Sequence, residues 1–128
     1  MIYTTGYSGK SADDLRALAE RLDAIIVDIR LVPRSRWQKF WNKSALAAMF
    51  NERYVWVEDM GNLKFKEKKI EIKNLDAGIE TVLAIENDGQ YNLIILCGCS
   101  EYEHCHRKPV AEALRAKGRK VEELETWR

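Results

Sequence analysis

The sequence predicts a three-layer α/β domain with a mostly parallel, five-stranded sheet and helices on both faces. Short apolar runs alternate along the chain with segments whose apolar residues recur at helical spacing. Two of the runs, residues 24–29 and 93–97, are almost continuously apolar, which is typical of strands covered on both faces. The 128 residues contain no repeat and no Pro/Gly/Ser-rich linker, so we expect one domain over residues 1–128.

The first half of the chain contains three predicted strands and two predicted helices. Residues 1–5 form a short strand that stops at Gly6. Ser11, followed three residues later by Asp14, is a weak capping-box variant at the start of a helix. Residues 24–29 form the second strand, Ser44 opens a short helix, and residues 54–57 form the third strand. The apolar stripe of the first helix consists of Leu15, Leu18, Ala19 and Leu22.

The second half contains two strands, two helices and one irregular stretch. Residues 58–73 are lysine-rich and irregular, and a third helix over residues 75–87 is expected to stop at Gly89. Residues 93–97 form the most apolar strand. Pro109 suits the first turn of a last helix, which ends before Gly118. Residues 121–124 form a final, exposed strand.

Composition and charge patterning exclude several classes of protein. The 21 basic and 20 acidic residues give a net charge of +1, which by itself indicates neither a nucleic-acid nor a membrane partner. The longest apolar run is far shorter than the ~20 residues of a membrane-spanning helix, and no secretory signal is predicted. The three cysteines all lie within residues 97–105, unlike a secreted disulfide framework, so we expect a reducing, cytoplasmic location.

Three loops are expected to meet at one edge of the sheet. Open parallel sheets bind ligands beyond the carboxyl ends of their strands. The loops that follow the first, second and fourth predicted strands cover residues 5–9, 30–36 and 97–107. Together they contain all three cysteines, both histidines and several arginines, so this edge is the predicted site.

Cys105, His106 and Arg107 come just before the predicted last helix. Free backbone N–H groups and the helix dipole favour an anion at such a position. The same field, with Arg107 and Lys108 nearby, lowers the pKa of a thiol. The functional interpretation is an anion pocket with a reactive thiolate, and the alternative is a buried cysteine beside a surface histidine and arginine.

The cysteine cluster has two further interpretations that the sequence leaves open. Cys97, Cys99 and Cys105 with a histidine offer four soft zinc ligands, although typical structural zinc sites draw their ligands from two separated knuckles. Cys97 or Cys99 could also form a redox pair with Cys105, since the sequence does not fix the distance. A phosphatase mechanism is not expected, because Cys105 stands where the arginine of a phosphate loop after Cys99 should be. We predict no metal and no cofactor.

Asp28 is the single charge in the second apolar strand. Asp28 and Arg30 are two residues apart, so their side chains face the same side of the sheet near its end. A carboxylate in an apolar strand needs a partner. Asp28 is therefore either half of a structural ion pair with an arginine from a neighbouring loop, or a functional group that orients Arg30 or acts as a general base.

Two segments are basic. Residues 31–43 carry a charge of +4 with no acid, and residues 64–73, with five lysines and two glutamates, carry +3. Such a surface suits phosphates, with Trp37 or Trp41 stacking on a base. The alternative is that the aromatic side chains pack under the sheet and the lysines are solvated around them.

Four pieces of the chain resemble the family known as domain of unknown function 488. Residues 5–8 are similar to its opening Thr-x-Gly-Tyr/His-Ser element, and residues 27–35 to its Val-Asp-Val-Arg-x-x-Pro-x-Ser element. Residues 54–61 resemble its Tyr-rich strand leading to Leu-Gly, with Met60 in place of the leucine. Leu96-Cys97 and Cys105-His106-Arg107 resemble its Leu-Cys…Cys-His-Arg signature, but Cys99 stands where many relatives have glutamate. The resemblance implies a compact α/β fold with a site at the carboxyl edge, and it implies no activity.

The sequence therefore predicts a polar, anion-binding site for a phosphate- or nucleotide-like compound. It also predicts that the protein is a thiol-dependent transferase or hydrolase. The alternative is a nucleic-acid-binding module without catalysis. We expect a small anionic ligand or a nucleic acid as partner and no membrane, while the oligomeric state stays open. The predicted catalytic residues are Cys97, Cys105, His106 and Asp28, and the predicted ligand-binding residues are Tyr7, Ser8, Arg30, Ser35 and Arg107.

Overall fold

A computed structural model describes residues 1–127 and shows five strands and four helices that alternate along the chain. The strands are β1 (Ile2–Gly6), β2 (Ala24–Asp28), β3 (Tyr54–Trp56), β4 (Asn92–Cys97) and β5 (Val121–Glu123). The helices are α1 (Ala12–Leu22), α2 (Lys43–Phe50), α3 (Leu75–Glu86) and α4 (Arg107–Ala116).

All of the strands pair in parallel in one sheet, with the order β3-β2-β4-β1-β5. The predicted three-layer α/β architecture is confirmed. The chain leaves β1 for α1 on one face of the sheet and leaves β4 for α4 on the other. Loops that diverge in this way leave a crevice at the carboxyl edge, which is the usual ligand site of an open parallel sheet.

The two faces of the sheet carry separate apolar cores. Alternate residues of a strand point to opposite faces. Accordingly Ile94 and Leu96 of β4 pack with α1 and α2, whereas Ile95 and Cys97 pack with α3 and α4. Both sets are fully buried, which explains why this strand is continuously apolar in the sequence.

Local sequence signals set most helix boundaries. The Ser11 hydroxyl accepts a hydrogen bond from the Asp14 backbone N–H at 3.1 Å, as the capping pattern predicted. α2 begins at Lys43, because Asn42 and not Ser44 occupies the N-cap position. α3 ends at Glu86, because Asn87 after it has a left-handed φ of 52°, so the helix stops before Gly89 is reached. Asparagine tolerates this conformation better than most side chains, which is why the terminator was misplaced.

The remaining features concern the chain between α2 and α3 and the sheet edge. The lysine-rich stretch contains two short 3₁₀ turns, at Glu58–Met60 and Phe65–Glu67. The Asn62 side chain, which is buried, ties this stretch together by donating to the Lys69 carbonyl at 2.7 Å and accepting from the Glu71 N–H at 2.8 Å. β5 lies at the edge of the sheet beside β1. Among residues 1–127 no helix combines the length and the hydropathy that a membrane crossing requires.

Candidate active site

Asp28 and Arg30 form a buried ion pair at the end of β2. Arg30 Nε donates to Asp28 Oδ1 at 2.9 Å and Nη2 donates to Oδ2 at 2.6 Å, so the contact is bidentate. The Tyr54 hydroxyl of the neighbouring strand donates to Oδ2 at 2.5 Å. Burial alone would lower the pKa of Arg30, but the hydrogen bonds and charge of Asp28 outweigh it and raise the pKa. The partner of Asp28 is therefore Arg30 itself, and the carboxylate fixes the orientation of the guanidinium.

Tyr7 holds the outer side of the same guanidinium. Its hydroxyl accepts a hydrogen bond from Arg30 Nη1 at 3.2 Å, and its ring stacks on Trp41 with the centroids 4.2 Å apart. An arginine side chain has five N–H donors. Three of them are used by Asp28 and Tyr7, which leaves two for a ligand.

The three cysteines form a compact cluster. Their sulfur atoms all lie within 4.8 Å of one another. Cys97 is the last residue of β4 and Cys105 lies just before α4, and their sulfurs are 2.8 Å apart in the core. Both are fully buried, whereas Cys99 is half-buried and faces a cavity. The cluster therefore has one cysteine on the cavity wall and two cysteines buried behind it.

His106 joins the cysteine cluster to the end of β2. Its Nε2 lies 2.8 Å from the Ile29 carbonyl oxygen and its Nδ1 lies 3.8 Å from Cys105 Sγ. Both neighbours accept hydrogen bonds when Cys105 is a thiolate, and only an imidazolium can donate from both ring nitrogens. Burial alone would lower the pKa of His106, but its contacts with Cys105 and Cys99 raise the pKa to about 9.

The two buried thiols have opposite electrostatic environments. Hydrogen bonds from Cys97, then from Cys99 and His106, lower the pKa of Cys105 well below its ordinary value in spite of burial. Burial, with the neighbouring sulfurs, raises the pKa of Cys97. The Arg107 backbone N–H also points to Cys105 Sγ, at 3.5 Å, as expected at a helix N-terminus. These environments favour the thiolate at Cys105 and the neutral thiol at Cys97.

Arg107 lies on the side of the cysteine cluster away from the cavity. Its Nε and Nη2 donate to Glu123 of β5 at 3.0 and 2.8 Å, and its Nη1 donates to Cys97 Sγ at 3.2 Å and to the Cys99 carbonyl at 3.1 Å. Its side chain is only 1% exposed. In this structure Arg107 positions the loop that carries Cys99 and borders a second cleft.

A cavity of about 860 Å³ lies at the carboxyl edge between these groups. This volume is in the range of small-molecule sites. The predicted residues on its wall are Tyr7, Arg30, Ser35 and His106. Cys99, Arg34, Lys68 and Lys69 also line it, as do His104 and Glu101, which form an ion pair with each other at 3.5 Å. Ser8 is exposed and lies outside the cavity, and Asp28, Cys97 and Cys105 are buried behind its wall.

The same cysteines are the residues best placed to hold a metal among residues 1–127. A fourth ligand is at hand in His106, whose Nδ1 faces Cys105. In a tetrahedral zinc site with bonds of ~2.3 Å, however, two sulfurs are separated by roughly 3.8 Å. Cys97 and Cys105 are 2.8 Å apart, so a metal would have to spread them. The geometry fits a pair of sulfurs that share a proton better than it fits two zinc ligands.

Sequence reasoning missed several residues of this site. Cys99 was considered only as a zinc ligand or a redox partner and was not among the predicted catalytic residues, although its place in a loop at the strand ends was a usable signal. Tyr54 and Glu123 become partners of Asp28 and Arg107 only through strand pairing, which no local pattern reveals. Trp41, predicted to pack under the sheet or to stack on a base, is buried against Tyr7 and cannot reach a base.

The pKa of His106 gives a direct test of the thiolate. We expect its ring protons to titrate near pH 9 in an NMR titration, and to titrate close to the ordinary ~6.5 in Cys105→Ser, which removes the thiolate. Because the pKa is raised on folding, the imidazolium stabilises the folded chain fully below about pH 6.5 and this contribution is lost as the pH rises through about 9. The stability advantage over His106→Gln should disappear over the same interval, and a midpoint unchanged by Cys105→Ser would show that no thiolate faces this ring.

A family model matches most of the chain. The family model described as "Domain of unknown function DUF488" matches residues 13–114, well over half of the chain. No curated protein and no solved structure matches the chain. The match covers the ion pair of β2 and the cysteine cluster, and begins after Tyr7.

Proposed function

The chain belongs to the DUF488 family, as its motifs predicted, and because that family's description names no activity we propose a function from the site itself. We propose that the protein is a thiol-dependent transferase or hydrolase that acts on a small anionic substrate in the cavity at the carboxyl edge. One observation carries this proposal. Three sulfur atoms are gathered within 4.8 Å of one another beside His106, and one of them opens into a cavity with cationic walls.

The proposed reaction divides the work between the sulfur that holds the charge and the sulfur that faces the substrate. Cys105 carries the thiolate, and the Cys99 thiol donates a hydrogen bond to it. When the proton of Cys99 moves to Cys105, the Cys99 thiolate faces the cavity. It forms a bond to an electrophilic carbon or phosphorus atom of the substrate while that atom's bond to the leaving group breaks. His106 lines the cavity and supplies a proton to the leaving group.

The second half of the cycle regenerates the cluster. Water, or another acceptor, attacks the thioester- or thiophosphate-like intermediate and gives a proton to the now neutral His106. The bond to Cys99 breaks and returns that sulfur as a thiolate, which recovers its proton from Cys105. Each step then conserves atoms and charge without a redox partner. Cys97 stays protonated throughout and donates to Cys105.

The charge of the cavity supports an anionic substrate. Arg34, Lys68 and Lys69 line the wall without a carboxylate within 4 Å among the residues that the structure describes. Arg30 adds two free N–H donors and is held rigid by Asp28. Preorganised donors of this kind stabilise charge that develops in a transition state. The proposal places the protein in the cytoplasm, where its three free cysteines stay reduced.

Two alkylating agents that differ in charge test this proposal. Iodoacetate is an anion and iodoacetamide is its neutral analogue, so their relative rates report the field in the cavity. We expect alkylation at Cys99, located by mass spectrometry, with a preference for iodoacetate on the order of tenfold over that of free cysteine. Inorganic phosphate should compete with iodoacetate.

Matched variants separate the charge from the thiolate. Lys68→Gln/Lys69→Gln should reduce the preference for iodoacetate and leave the iodoacetamide rate unchanged. Cys105→Ser should slow both reagents, and should abolish nitrophenolate release from acyl or phosphoryl esters of nitrophenol. The proposed function would be contradicted if the protein showed no preference for iodoacetate over iodoacetamide beyond that of free cysteine and if Cys105→Ser left the alkylation rates unchanged.

A further inference from the structure

Exposed apolar side chains are concentrated at the mouth of the cavity. In the described part of the chain seven large hydrophobic residues are exposed, and all except Tyr91 belong to residues 31–40 or 63–70. Trp37 is 88% exposed, and Phe40 and Phe65 are about half exposed. Val32 and Phe65 line the cavity itself, so the two segments border one opening. Clustered exposed apolar groups of this kind indicate a binding surface.

The same two segments carry cations without carboxylate partners in the described part of the chain. None of their seven lysines and arginines lies within 4 Å of a carboxylate among residues 1–127. The first segment contains no acid and the second contains only Glu67. Elsewhere in the described structure several lysines and arginines do have such partners, for example Lys73 with Glu58. The seven residues are Arg34, Arg36, Lys39, Lys64, Lys66, Lys68 and Lys69.

We infer that this surface binds a single-stranded nucleic acid and delivers one of its phosphate-bearing nucleotides to the cavity. This inference rests on the proposed function, since it names the class of its anionic substrate. The cations would follow the phosphate backbone and the aromatic rings would stack on bases. We call the two segments, residues 31–40 and 63–70, the mouth segments.

The aromatic rings decide between a single strand and other polyanions. The bases of a duplex are already stacked on one another, so a fully exposed ring such as Trp37 can stack only on an unpaired base. A sulfated polysaccharide or an acidic peptide would use the cations and leave the ring without a role. The backbone that carries this ring is held in place, because the N–H groups of Trp37 and Gln38 donate to the Ser35 hydroxyl at 3.3 and 3.0 Å.

Fluorescence anisotropy with labelled oligonucleotides tests the inference on the full chain. We expect a mixed-sequence single strand to bind more tightly than the same sequence as a duplex. Trp37→Ala should weaken binding at least about fivefold, the smallest effect of losing one stacked base. Lys68→Gln/Lys69→Gln should flatten the dependence of log Kd on log salt by about 1.4, the value for two phosphate contacts on a single strand. Tyr91→Ala, the exposed aromatic outside the mouth segments, is the matched control and should bind as wild type.

The other possible outcomes either overturn the inference of nucleic-acid binding or separate it from the proposed function. Equal binding of heparin and oligonucleotide, with no effect of Trp37→Ala, would show a surface for polyanions in general and overturn the inference. Absence of binding at low salt would also overturn it. Failure of the wild-type chain to bind oligonucleotides, beside the expected alkylation of Cys99, would overturn this inference and leave the proposed function standing. Normal binding beside thiols that fail the alkylation test would remove the thiol chemistry alone.

Discussion

Asp28→Ala is expected to lower the free energy of unfolding by about 3–5 kcal/mol, the cost of leaving a buried charge without its partner. Asp28 is fully buried and accepts hydrogen bonds from both Arg30 and Tyr54. Without the carboxylate, the Arg30 guanidinium stays in the protein interior with only the Tyr7 hydroxyl and its remaining contacts to replace water. Urea denaturation at neutral pH measures the loss.

Two variants control for the individual hydrogen bonds and for the pair. Tyr54→Phe removes a single hydrogen bond to the carboxylate, so its cost should be lower, about 1.5–3 kcal/mol. Asp28→Leu combined with Arg30→Met removes both charges and should recover much of the stability lost in Asp28→Ala. A cost below about 1 kcal/mol for Asp28→Ala would mean that the pair behaves as an exposed ion pair, contrary to its burial.

The sheet could be predicted because its strands carry local signals. Residues 24–29 and 93–97 must be apolar on both faces to lie in the middle of a three-layer domain, and the pattern is visible without coordinates. Because the strands were predicted to be parallel, the loops after the first, second and fourth strands were expected at one edge of the sheet. The cavity wall contains Tyr7 from one loop, Arg30 from the second and His106 from the third.

The pairing between side chains could not be predicted, because it depends on which strands are neighbours. The strand order β3-β2-β4-β1-β5 brings Tyr54 to Asp28 and sets β5 beside β1, close enough for Glu123 to reach Arg107. Arg107 is thereby paired inside the protein, whereas the motif alone suggested a ligand-binding group. The different roles of Cys97, Cys99 and Cys105 likewise depend on burial, which a nine-residue stretch of sequence does not encode.

The site therefore consists of two halves built on opposite faces of the sheet. Asp28, Tyr54 and Tyr7 belong to the face covered by α1 and α2, and the buried cysteines belong to the face covered by α3 and α4. His106 connects the halves through its contact with the Ile29 carbonyl. In the function proposed above, a substrate that spans the cavity would be held by the rigid Arg30 of one half and would meet the cysteines of the other.

Among substitutions that leave the three cysteines unchanged, Gly6→Ala is expected to disturb the cysteine cluster most. Gly6 ends β1, and a Cβ atom there would overlap the backbone oxygen of Cys99 and stand 3.0 Å from Arg107 Nη1. A backbone oxygen cannot rotate away as a side chain does, so the loop that carries Cys99 must move. The hydrogen bond from Arg107 to the Cys99 carbonyl, now 3.1 Å, would break. We expect a loss of about 1–3 kcal/mol in stability, with loss of the preference of Cys99 for iodoacetate.

Gly98→Ala and Ser8→Ala are the matched comparisons for this variant. A Cβ at Gly98 would meet the Tyr7 hydroxyl at 3.0 Å, and that ring can shift by a few tenths of an ångström, so its cost should be lower. Ser8 lies in the same loop as Tyr7 but is exposed and outside the cavity, so its replacement should change neither stability nor alkylation. The expectation for Gly6 fails if Gly6→Ala is as stable as Gly98→Ala and still prefers iodoacetate at Cys99. Such a result would mean that the position of the Cys99 sulfur does not depend on the contact between β1 and the loop that carries Cys99.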